Sequence, residues 1–234
     1  MYYDLHVHST LSIGENSVEE MAAMAKRLGL SGIGIVSYDS TAGFAKPSIE
    51  NIDIVLSVML KPAKADELGS MAQAVRDKSE ILMVHGGDYD INRAACESSM
   101  IDMLCHPELG RHDSGIDHIC AKAAAENNIA IEINFREILE SYRKQRMHVL
   151  SSMRKNIELC KKYGAGIIVS SGAVNMWGMR CGRELAAASH ILGLELGDAI
   201  ASASSVPESI VRKNRQTIAS GQEGVKIIGD SGEA

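Results

Sequence analysis

His6-Val7-His8 is the first place in the chain where residue types and spacing suggest chemistry. Two imidazoles two residues apart near a strand end share a face, and neutral imidazole is a ligand for Zn²⁺ or Mn²⁺. One packed and one solvated histidine is the ordinary alternative. His85-Gly86-Gly87-Asp88 reads as an anion-binding backbone turn, with Asn92 and Arg93 on the following helix facing a phosphate. The competing reading is a tight turn with Asp88 at the helix N-terminus. In His106-Pro107-Glu108, the proline directs His106 into extended backbone. Glu132, Asn134 and Arg136 follow one apolar run, and Ser170 and Ser171 another. Neither serine has a general base beside it, which argues against a serine nucleophile. Trp177, the sole tryptophan, reads as a contact or a lid.

The charge is unevenly spread. Arg143, Lys144, Arg146, Arg154, Lys155, Lys161 and Lys162 face Glu158 alone within one segment, a local +6 in a chain of net charge -6. A net-acidic chain argues against nucleic-acid binding, but this distribution, with Phe135, Tyr142 and Tyr163 nearby, reverses the expectation. Arg111, Arg136, Arg180 and Arg183 join Asn92 and Arg93 as further candidates for RNA contact.

These residues need positioning elements. With 234 residues and 45% of them hydrophobic, the chain can bury a full core without staples, which excludes disorder and coiled coil. The longest apolar run, Ile52 to Leu60, is interrupted by Asp53 and Ser57, and the start lacks a basic leader. The chain is therefore expected to be neither membrane-inserted nor secreted. Five widely spaced cysteines without a C-x-x-C pair fit reduced thiols in the cytoplasm.

A Ser17-x-x-Glu20 capping box, apolar Val18, Met21, Ala25 and Leu28, and a Gly29 stop write the first helix. Apolar runs Tyr2 to Leu5 and Gly32 to Val36 flank it, giving β-α-β and a parallel sheet. The pattern recurs at Asp53 to Leu60, Ile81 to Val84, Asp102 to Cys105, Ala130 to Ile133 and Gly166 to Val169. Tyr38 to Asn51 carries no helical stripe, so one unit is expected to be degenerate.

No phosphate-binding glycine turn follows the first strand, which favours a closed α/β barrel of seven parallel strands over an open sheet. His6, His8, His85 and His106 are then expected at one mouth. Residues 1–215 are read as this single domain, with short helices at about 195–203 and 207–215. Residues 216–234, with four glycines, read as a flexible C-terminal tail.

Asp4-Leu5-His6-Val7-His8-Ser9 resembles the first motif of the polymerase and histidinol phosphatase superfamily, metal-dependent phosphoesterases on a seven-stranded barrel. Val84 to Asp88 with Asn92 to Ala95, Asp102 to Glu108, Asp113 to His118, Ala130 to Glu137 and Val169 to Ala173, in that order, resemble the archaeal ribonuclease P protein component 3 family.

Departures from the parent pattern bear on mechanism. Tyr38-Asp39 stands where the superfamily has Asp-His, Met59 where it has Glu, and Gly172-Ala173-Val174 where it has Asp-x-His. His6, His8, His106 and Glu132 remain as a vestigial metal set, too few for a centre of two or three ions. The resemblance thus implies a subunit, not itself catalytic, of the endoribonuclease that removes the 5′ leader of precursor tRNA. Its partners would be the ribonuclease P RNA, precursor tRNA and other protein subunits, with Mg²⁺ on the RNA and no cofactor of its own beyond a single vestigial ion. The alternative is a stand-alone phosphoesterase using His6, His8 and His106.

Overall fold

In a computed structural model of the protein, which describes residues 1–40 and 46–223, the Ser17–Glu20 capping box is made. Glu20 N donates to Ser17 Oγ at 3.2 Å and Ser17 N to the Glu20 carboxylate at 2.9 Å. It starts α1 (Val18–Arg27), which lies between β1 (Tyr3–Val7) and β2 (Gly32–Tyr38). β3 (Asp53–Leu60) follows β2 with no helix among the described residues between them; residues 41–45 of this degenerate unit lie outside the description. Then come α2 (Leu68–Val75), β4 (Ile81–His85), α3 (Tyr89–Glu97), β5 (Met103–Cys105), α4 (His118–Asn127) and β6 (Ala130–Asn134). A short α5 (Phe135–Glu140) precedes the long α6 (Arg143–Tyr163), and β7 (Gly166–Ser170), α7 (Gly182–Ile191) and α8 (Leu196–Ser202) follow.

The seven strands pair in sequence order, all parallel. β1 meets β7 through the bridge Val7↔Ala173, with His8 N on Ala173 O at 2.8 Å, so the sheet is a nearly closed barrel. Strand pleating sorts the side chains. Val55, Met59, Ile81, Met83, Met103, Cys105, Ala130 and Ile168 fill the interior, while Leu82, Val84, Leu104, Ile131, Ile133, Ile167 and Val169 pack outward under the helices. By the same alternation Glu132, Asn134 and Ser170 face inward. β1 changes phase midway: Leu5 packs inside but Val7 under α1, and the pairing register shifts between Asp4 and Val7. Such irregularities re-aim side chains near barrel rims, and here the strand end delivers both His6 and His8 to the mouth.

Gly34 shows how tightly the wall is built. A Cβ there would stand 2.3 Å from Leu5 O and 2.4 Å from Ser57 Oγ, so only glycine lets Ser57 donate across β2 to Leu5 O at 3.0 Å.

The chain end corrects one expectation. α9 (Ser205–Glu223) is continuous, eight residues beyond the expected 215/216 boundary. Val211 enters the interior cluster at the barrel floor, and Arg215 grips Asp53 at 2.8 and 2.9 Å and Glu80 at 2.6 Å. Anchored there, the helix propagates through Gln216 to Ser220 for one hydrogen bond per residue. Its glycines begin only at Gly221. The expectation for 224–234 lies outside the described residues.

Candidate functional site

Period-two alternation and the β1 irregularity bring side chains of five strand ends to one mouth. His6 Nδ1 lies 2.7 Å from Glu132 Oε1, and Asn134 Nδ2 3.3 Å from the same ring nitrogen. Ser170 Oγ donates to Glu132 Oε1. His6 Nε2 faces His8 Nε2 at 3.1 Å, and His8 Nδ1 reaches Ser12 Oγ at 3.0 Å. His106 stacks edge-on against His6, with centroids 5.1 Å apart, and stands 5.0 Å from His85. The four histidines expected at one mouth are there together, and three of them are at most 1% exposed.

Burial dominates the electrostatics. It pushes His8 down to about 2, aided by His6 and Arg136, and His85 down to about 4, aided by His106. It lowers His6 as well, against the pull of Glu132. His6, His8 and His85 are therefore neutral near pH 7, with lone pairs to offer. Burial alone would raise Glu132, but its interactions with His6 and the Ser170 hydroxyl hold it well below the usual carboxylate range. Burial raises Asp4 to about 6, against the Ser171 and His6 hydrogen bonds it accepts.

The donor set fits a divalent ion. Two Zn–N bonds of 2.0–2.1 Å at a tetrahedral angle leave roughly 3.3 Å between nitrogens, close to the His6–His8 edge. Each ring's other nitrogen has a partner of the kind that orients metal ligands, Glu132 and Ser12. Asp4 Oδ2, Glu132 Oε2 and His106 Nδ1 are buried without a hydrogen-bond partner. Glu137 Oε1 is 3.3 Å from His106 Nδ1 but off hydrogen-bonding geometry. Cys105 offers an inner donor, its sulfur, His6 and Glu132 all lying within 4.8 Å of one another. Two positions where the resemblance expects further ligands carry none: Met59 is apolar and buried, and Gly172-Ala173-Val174 ends the β7 side.

Sequence reasoning does not reach Asp4, Ser12, Cys105 and Glu137. Asp4 alone carries a signal there, a carboxylate within an apolar strand.

Two readings of the mouth are corrected. Both glycine amides of the His85–Asp88 turn are already engaged and not offered to a phosphate: Gly86 N bonds Cys105 O at 2.7 Å and Gly87 N bonds Asn92 Oδ1 at 3.1 Å. Asp88 instead caps α3, accepting from Asp90 N and Ile91 N, as in the competing reading. Asn92 is fully buried, its amide nitrogen spent on Pro107 O and Gly115 O, and so ties loops together and faces no solvent. His106 is not extended: its φ is +51°, in the left-handed region. The turn closed by Leu109 N on His106 O at 3.0 Å outweighs the preference imposed by Pro107.

The cationic candidates divide. Arg93 pairs with Glu97 at 2.8 Å, Arg111 with Asp113 at 2.6 Å, and Lys155 with Glu158 at 3.4 Å. Lys161 bonds Gly193 O, Arg146 bonds Ser141 O, and Arg180 bonds Trp177 O and Met179 O. Lys162 lies over the Tyr163 ring. Arg143, Lys144, Arg154 and Arg183 are exposed and form no ion pair among the described residues. Because α6 runs back from the mouth, Arg143 and Lys144 start near it, while Lys161 and Lys162 lie about 27 Å down the barrel flank at 1.5 Å per residue.

The family model for RNase P subunit p30 matches residues 1–219. Ribonuclease P protein component 3 of Methanococcoides burtonii is 37% identical over 228 residues, covering 97% of this chain and 94% of that protein. The Methanosarcina mazei protein of that name is 34% identical over 230 residues, covering 97% and 95%. A chain of the cryo-EM structure of archaeal ribonuclease P with mature tRNA superposes with a TM-score of 0.78 at 27% identity, covering 97% of this chain and 99% of that one. Histidinol phosphate phosphatase from Lactococcus lactis superposes at 0.53 with 11% identity, a likeness of fold alone.

Proposed function

Because the chain belongs to the RNase P subunit p30 family, we infer that it works as a protein subunit of ribonuclease P, the enzyme that removes the 5′ leader of precursor tRNA. Its full-length likeness to a chain of an assembled archaeal ribonuclease P carries this reading. Its partners are the ribonuclease P RNA, tRNA and other protein subunits. Enzyme activity belongs to the complex.

The isolated chain we propose to be inactive, because its mouth offers ligands for one ion where phosphoester hydrolysis by this fold needs two or three. Mg²⁺ belongs to the RNA on this reading. The described residues contain no helix long and apolar enough to cross a membrane, and the same reading puts the chain in the cytoplasm.

What the chain supplies is fixed positive charge on an otherwise acidic body. Arg143, Lys144, Arg154 and Arg183, free of ion pairs among the described residues, are the best phosphate contacts; Arg93 and Arg111 must first release a carboxylate. Reconstituting precursor-tRNA cleavage from the RNA and protein subunits, with and without this chain, tests the function. Omission is expected to lower activity; equal activity without it would refute the reading. Neutralising Arg143, Lys144, Arg154 and Arg183 together should weaken RNA binding and flatten its salt dependence by about 0.7 to 0.9 in log K per log salt for each phosphate no longer neutralised. An unchanged slope would move the RNA surface elsewhere.

At the mouth, metal analysis after dialysis against Zn²⁺ or Mn²⁺ is expected to return at most one ion per chain, bound weakly and released on His8→Ala. Two or more stoichiometric ions would revive the phosphoesterase reading.

A further inference from the structure

Trp177 is 73% exposed, on a short turn, Met176–Gly178, at the barrel mouth. An exposed tryptophan is unusual for a monomer surface and frequent where something docks. Its backbone is held rigidly from beneath. Asn175 accepts from Gly178 N at 3.0 Å, Asn16 accepts from Met176 N at 3.0 Å, and Arg180 donates to Trp177 O at 3.0 Å while its guanidinium lies 5.1 Å from the Phe135 ring centroid. No other aromatic ring is paired with the indole among the described residues.

Beside it opens a cavity of about 260 Å³ lined by Arg136, Leu139, Asn175, Trp177 and Gly178. That is just under the roughly 300 to 1,000 Å³ of pockets for drug-sized ligands, a space for one ring system. The cavity also holds a cation with donors to spare. Arg136 is 16% exposed, its buried Nε has no hydrogen-bond partner, and its nearest carboxylates, Glu140 and Glu137, stand 3.9 and 4.0 Å away. An apolar protein side chain in the cavity would leave those donors unmet. A nucleotide satisfies both features, a π-face for the indole and phosphate or ring acceptors for the guanidinium.

We propose that Trp177 is a stacking platform for one unpaired base of the RNA partner, with Arg136 contacting that nucleotide's acceptors. The proposal rests on the ribonuclease P reading and specifies where single-stranded RNA engages. A duplex keeps its bases stacked on each other and offers no free face.

Because Trp177 is the sole tryptophan, its emission reports the site directly. A single-stranded decaribonucleotide titrated into the full chain should quench it, and the same strand annealed to its complement should not. By anisotropy of the labelled single strand, Trp177→Ala should weaken binding about 5- to 100-fold, within the range for losing one stacked base. Trp177→Phe should retain most of the affinity, and Arg136→Gln should reduce it with the emission maximum unchanged. Melting curves confirm that the variants are folded. Equal quenching by strand and duplex, an unchanged affinity for Trp177→Ala, or a shift in emission on adding the other protein subunits without RNA would each overturn the proposal, the last by assigning the surface to a protein. In the reconstituted enzyme, failure of the wild-type chain to support cleavage refutes the ribonuclease P reading itself. Support by the wild type and equally by Trp177→Ala refutes only the platform.

Discussion

Replacing Glu132 by Ala is expected to destabilise the fold by about 3 to 5 kcal/mol, the cost of a buried void and of two buried donors left without an acceptor. At roughly 2 to 4 °C per kcal/mol for a domain of this size, the melting temperature should fall by on the order of 10 °C. Glu132 and His6 are both fully buried, and the carboxylate also takes the Ser170 hydroxyl. Removing it leaves an imidazole N–H and a hydroxyl facing a void. Glu132→Gln keeps the shape and an acceptor for His6 Nδ1, and should cost only about 1 to 2 kcal/mol, the difference between charged and neutral hydrogen bonds.

The acid limb provides a second reading of the same variant. Glu132 ionises in the fold well below the unfolded value of about 4.3. Its stabilisation is thus complete above that value and lost as pH falls through the folded one. The advantage of wild type over Glu132→Gln should therefore be full at pH 7 and shrink in acid. Denaturant unfolding at pH 7 and below pH 4 checks both points. If Gln proves as damaging as Ala, the carboxylate's charge and not the shape it fills holds the mouth together.

Such a mouth is legible in sequence to the extent that local pattern decides it. Capping at Ser17, seven apolar runs and the strand-end positions of His6, His8, His85, His106 and Glu132 follow from spacing, because strand alternation converts sequence parity into inside and outside. Features set by contacts between distant segments are hidden. Asn92 is polar and sits near a glycine pair, as a phosphate-facing residue would, yet it points inward because Pro107 O and Gly115 O need a donor. His106 adopts left-handed backbone because the turn to Leu109 closes on its own carbonyl, a demand that outweighs the dipeptide preference imposed by Pro107. Arg93 faces outward as expected, but the Glu97 one turn on already claims it. Glycine content suggests a loose tail from Gln216, whereas Asp53 and Glu80, more than a hundred residues earlier, anchor α9 through Arg215.

Glu108 lies just past His106 and is expected to lower wild-type stability progressively between about pH 4.5 and 8, a contribution that Glu108→Gln should remove. Glu108 is 5% exposed; Asn156 Nδ2 donates to its Oε2 at 3.3 Å, while its Oε1 has no partner. Burial, and then the nearby Glu132 and Glu137 charges, push its carboxyl up to about 8. A group raised in the fold stabilises fully below its unfolded value of about 4.3 and loses that contribution as pH rises through the folded one. Each unit of difference corresponds to about 1.36 kcal/mol, so Gln, neutral throughout, should gain on the order of 5 kcal/mol over wild type by pH 8.

Other buried groups titrate in the same range. Asp4, raised to about 6, adds a slope of the same sign, while His8 and His85, lowered by burial, add the opposite sign below about 6.5. These are common to both proteins, so the difference in urea midpoints between wild type and Glu108→Gln, followed from pH 5 to 8.5, isolates Glu108. Parallel midpoints across that range would mean that the carboxyl ionises normally, and that solvent or an ion reaches Oε1.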